Sequence, residues 1–195
     1  MTSPEHRRIT DLGTLKAIAH PLRLRLYRAL FVARTATASQ LADQVDEAVS
    51  LVSYHLRKLA EHGLIEEAEN RSTDGRERWW QPSSYGFSIH DEDLRDAPEL
   101  AAASAAFGRT VDEQRTGMYA RFLDERHTWS DSWRSASLSS EWLPRLTADE
   151  LRALGAELDA VLRAYDQRAR AAEAAGDHEG RENVAIHLNG FPYRS

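Results

Sequence analysis

The chain has 195 residues, a formal charge of -6 at neutral pH and no cysteine, which excludes disulfides and thiolate metal ligands and fits a cytoplasmic protein. The charge is uneven: residues 1–90 hold 12 Lys/Arg against 11 Asp/Glu, net +1, and residues 91–195 hold 13 against 20, net -7. The acidic total therefore leaves a nucleic-acid partner open for the first half, while no run approaches the roughly 18 apolar residues of a membrane helix and the N-terminus does not read as a leader.

In chain order, "DLGTLKAIAHPLRLRLYRALF" places Leu12, Leu15, Ile18, Leu22, Leu26 and Leu30 at helical spacing. The His20-Pro21 step splits it into two helices, because proline disfavours a helical residue before it. "TASQLADQV" opens with a capping box, Thr37 with Gln40, and turns Leu41, Ala42 and Val45 inward. After the turn Asp46-Glu47-Ala48 a further helix is expected, with Val49, Val52, Leu56 and Leu59 on one side and Ser50, Tyr54, Arg57 and Lys58 roughly opposite. Gly63 stops it. "LIEEAEN" and "RERWWQP" around "RSTDG" read as a hairpin, and "SSYGFSIHDED" as a connector.

Beyond residue 90 the composition turns to alanine and acidic residues. A helix is expected from the cap Asp96 and Pro98 to about His127, roughly 45 Å long at 1.5 Å per residue. A second opens at the capping box Thr147 to Glu150 and carries a seam of Leu151, Leu154, Leu158, Val161 and Tyr165, which wants a partner helix. "NVAIHLNGF" alternates as a short terminal strand does.

Three short helices, a fourth with a polar outer side and a hairpin make a winged helix-turn-helix in order and length. In that geometry the fourth helix enters the major groove and the hairpin loop follows phosphates or the minor groove. Ser50 and Ser53 can donate or accept, Tyr54 offers a hydroxyl and a ring, and Arg57 can fork onto guanine or phosphate. Arg71, Arg76 and Arg78, on or beside the hairpin loop, add charge where phosphates would lie.

Together "LKAIAHPLRLRLYRAL", "SQLADQV", "VSYHLRKLAEHGLI" and "GRERWW" resemble the ArsR-type winged helix-turn-helix transcriptional regulators over about Asp11 to Pro82. The resemblance implies a homodimer on a pseudo-palindromic operator in double-stranded DNA, usually a repressor released by an inducer. It implies DNA contacts at Ser50, Ser53 and Tyr54, then Arg57 and Lys58. Two departures stand out. The turn before the reading helix carries Asp46, Glu47 and Ala48 where the family shows glycine, an apolar residue and a capping serine, and the third helix lacks the cysteine motif of the metal sensors.

The expected fold is mainly α with a small β-hairpin wing: a winged helix-turn-helix domain over 1–90, then a helical dimerisation or sensing domain over 91–195 with the terminal strand. The seam is expected to serve dimerisation, and Trp129, Trp133 and Trp142 to cluster as a candidate pocket for a small-molecule inducer. No histidine pair, His55 with His62 or His178 with His187, has the spacing of a helical metal site. Neither a phosphate-binding glycine loop nor a nucleophile elbow is present, so neither a cofactor nor an enzymatic role is expected. Two alternatives stay open, a winged-helix adaptor that binds protein and a regulator that responds to a small molecule.

Overall fold

The computed structural model describes residues 7–68, 78–84 and 86–194. The chain forms two compact units, Met1–Arg121 and Phe122–Ser195. By packing, the first unit thus continues past residue 90, where the composition changes.

The first unit opens with strand β1 (Arg7–Arg8) and helices α1 (Leu12–Ile18) and α2 (Pro21–Ala33). The break between the helices is where proline puts it. His20 is extended, Pro21 takes the first helical position, and the His20 ring accepts the Leu22 N–H at 3.2 Å. Strand β2 (Ala36–Thr37) leads into α3 (Ala38–Val45). Both arms of the capping box form there: the Gln40 N–H donates to the Thr37 hydroxyl at 3.3 Å, and the Thr37 N–H donates to the Gln40 side-chain oxygen at 3.0 Å. Helix α4 (Val49–Glu61) ends at Gly63, whose φ of +61° lies in the left-handed region.

Strands β3 (Ile65–Glu67) and β4 (Trp79–Pro82) pair antiparallel, with Glu66 opposite Gln81. They form the expected hairpin, whose tip over 69–77 lies outside the described residues. Strand β2 adds to the other edge of β4, giving the order β2-β4-β3 and burying Trp80. The connector also does more than expected. Its strand β5 (Phe87–Ser88) pairs parallel with β1, and the Phe87 ring lies 5.6 Å from Tyr27 and 5.7 Å from Phe107. Short helix α5 (Asp91–Leu94) offers Asp93 to Arg8 in a two-pronged pair, both contacts at 2.8 Å. Helix α6 (Pro98–Glu125) then contributes Leu100 and Phe107 to the core. Gln114, further along, receives Arg28 at 2.6 Å and donates to the Pro21 carbonyl at 3.2 Å.

In the second unit, a 3-10 turn (Arg126–Thr128) precedes α7 (Asp131–Ala136) and α8 (Ala148–Ala174). The Thr147–Glu150 capping box forms, and the Thr147 N–H and hydroxyl hold the Glu150 carboxyl below its usual range. The seam faces outward, with Leu154 and Leu158 at 40%, Val161 at 53% and Tyr165 at 62% exposure. Among the described residues, none beyond Phe107 is buried. The terminal strand expected over 183–191 is not formed. A strand needs an edge to satisfy its backbone groups, and alternation at Val184, Ile186 and Leu188 supplies the faces without the edge.

Thr37 is buried at the start of α3, so its hydroxyl has a defined task. Thr37→Ala is expected to lower stability by about 1 kcal/mol, read as a lower urea midpoint at unchanged slope.

Candidate nucleic-acid interface

Helix α4 divides cleanly. Val52, Leu56 and Leu59 are fully buried against α2 and α3, whereas Ser50, Tyr54 and Arg57 are exposed and Ser53 and Lys58 half-buried. The 3.6-residue period explains this: a stripe centred on Val52 includes Leu56 and Leu59 and leaves the far side for solvent. Val49 and His55 lie about 60° to either side of that centre at 100° per residue, and they part company. Val49, expected inside, is 47% exposed, while His55 is 5% exposed, with the His20 ring 4.7 Å and the Tyr54 ring 5.2 Å from its own.

The polar side is partly committed within the helix. Lys58 pairs with Glu61 at 2.7 Å and lies 6.0 Å from the Tyr54 ring centre. That bond raises the Lys58 ammonium above its usual value and lowers the Glu61 carboxyl. Such an exposed pair is weak and screened by solvent, so a phosphate can compete for the lysine. Arg78 is exposed at the start of β4; Arg71 and Arg76 lie outside the described residues. The structure therefore gathers Ser50, Ser53, Tyr54, Arg57 and Lys58 on one helix.

The turn ahead of α4 bears out the missing cap. Ala48 is extended and no side chain bonds the first helical N–H groups. Asp46 takes the left-handed position, φ 53° and ψ 57°, that a glycine would fill without strain, and the Asp46 and Glu47 N–H groups both donate to the Ala42 carbonyl. Arg25 of α2 reaches this turn. Its guanidinium donates to the Val45 carbonyl and stands 3.9 Å from the Glu47 carboxylate. Sequence patterning did not single out Arg25, since its partners lie some 20 residues away.

Beneath α4, the rings of His20 and His55 are 4.7 Å apart, and Tyr54 meets His55 edge-on at 5.2 Å. His55 Nδ1 is buried with no partner among the described residues. Burial holds both imidazoles below their ordinary value. The Arg23 charge adds to this for each, and His20 adds to it for His55, while Glu47 opposes it.

The remaining candidate residues belong to the second unit. Trp129 and Trp133 are half-buried and Trp142 is 84% exposed, and no ring contact joins any two of them among the described residues. Nor does any group of three or more potential metal-binding side chains gather among the described residues. No described helix is long and apolar enough to cross a membrane.

A family model described as a helix-turn-helix domain matches residues 18–68, from the end of α1 through α4 and β3. This segment has the helix-turn-helix form, and the β3–β4 hairpin that ends it adds a wing. One solved structure, a "possible transcriptional regulator for arsenical resistance", is 28% identical to this chain, covering 53% of this chain and 97% of that one with a TM-score of 0.33. No curated protein matches the chain.

The histidine pair makes stability depend on pH. A group whose folded pKa is depressed binds protons more readily when unfolded, so its contribution is complete above about pH 6.5 and falls as pH drops toward the folded values. The urea midpoint is expected to be lower at about pH 5 than at about pH 7.5, with a smaller difference in His55→Gln. Equal differences in the two proteins would contradict this role for the pair.

Proposed function

We propose that this protein is a homodimeric, sequence-specific DNA-binding transcriptional regulator, a repressor on a pseudo-palindromic operator that an inducer releases. The observation that carries the reading is α4 itself: one side is consumed by the core, and the opposite side presents Ser50, Ser53, Tyr54, Arg57 and Lys58 within a helix-turn-helix segment. Set in a major groove, the N-terminal part of that helix would meet base edges through Ser50, Ser53 and Tyr54, while Arg57 and Lys58 neutralise phosphates. Arg71, Arg76 and Arg78 would do the same from the wing.

Two half-sites need two copies. The seam of half-buried Leu151 and exposed Leu154, Leu158, Val161 and Tyr165 supports dimerisation through α8, because a unit with no buried described residue gains its apolar burial from a partner. A second reading, an adaptor that binds protein through the winged domain, is favoured by one feature, the acidic Asp46-Glu47 turn.

Salt dependence separates the two. For a DNA-binding protein, Arg57→Ala and Arg76→Ala should each weaken DNA binding and reduce the slope of log affinity against log salt by about one. Unchanged slopes in both variants would remove these residues from the interface, and absence of any salt-sensitive binding would favour the adaptor.

A further inference from the structure

The Asp46-Glu47 turn poses an electrostatic problem for the DNA-binding reading, on which this inference rests. It puts two carboxylates immediately before the reading helix, where phosphates would approach. The helix start has no capping side chain to offset them. Glu47 is nevertheless not free in solvent. Its side chain is 33% exposed, and Arg25 reaches it from α2 while also holding the last carbonyl of α3, Val45.

We propose that Arg25 is a positioning residue for DNA reading: its guanidinium, anchored on Val45 and 3.9 Å from Glu47, restrains that carboxylate and cancels its charge toward the phosphate backbone. The planar fork suits the task, since one set of donors takes a carbonyl while another faces the carboxylate. The anchor fixes the charge relative to α3, and Glu47 is only one residue from the α4 cap. Arg25 thus joins α2, the end of α3 and the turn, and it acts on DNA through Glu47 rather than by touching a base. The same pairing accounts for how the domain could carry an acidic turn and still grip an anionic partner.

A double-mutant cycle tests this, with wild type, Glu47→Gln, Arg25→Ala and the double variant titrated onto a labelled mixed-sequence duplex at low salt. Removing the carboxylate should tighten binding about threefold when Arg25 is present and about tenfold or more when it is absent. Equal effects in the two backgrounds, or a tightening of about tenfold by Glu47→Gln alone in the intact protein, would overturn the proposal. A direct phosphate contact by Arg25 would give the first of those results. Thermal melts check that Arg25→Ala is folded; if it is not, Arg25→Leu takes its place in the cycle, and the single Glu47→Gln comparison still decides. A wild-type protein that fails to bind the duplex even at low salt removes the DNA-binding reading itself, and this inference with it.

Discussion

The burial of Val52, Leu56 and Leu59 against α2 and α3 is the constraint on which the first unit depends. A helix of 13 residues is marginal by itself, and its stability comes from burying one stripe. That burial fixes the rotation of α4 about its axis, so the same contacts that fold the domain decide which side chains reach outward. His55 extends the buried stripe on one side under His20, and Val49 leaves it open on the other. The surroundings hold this arrangement in place. The capping box starts α3, Gly63 ends α4, and β4 joins the wing to β2 behind the helices.

Electrostatics act locally here rather than through net charge. The total of -6 is carried by residues 91–195, whereas α4 and the turn before it hold Arg57 and Lys58, with Arg25 reaching in from α2, beside Asp46, Glu47 and Glu61. Two of the acidic groups have cationic partners, Glu47 with Arg25 and Glu61 with Lys58. Because exposed pairs of this kind are weak and screened, they can rearrange around an incoming phosphate without unfolding anything.

The helix-turn-helix was legible because its signals are local: a proline break, a capping box, a terminal glycine and a stripe at helical period. The Asp46 departure was legible as well, and the structure shows its form, an aspartate in the left-handed position. The β1–β5 pair was not, since a strand of two residues has no period, and its partner lies 80 positions away along the chain. Arg25 escaped for the same reason: its role depends on a turn that only tertiary packing brings near. In the second unit, α8 and its seam were readable from spacing, but alternation around Ile186 was not enough to make a strand without an edge to join.

The most direct measurement is to retain fragmented genomic DNA on the purified protein at moderate salt and sequence what stays bound. The account predicts enrichment of an inverted repeat with half-sites about one helical turn apart, as a dimer with one reading helix per copy requires. Uniform retention, or none, would contradict sequence-specific reading by α4.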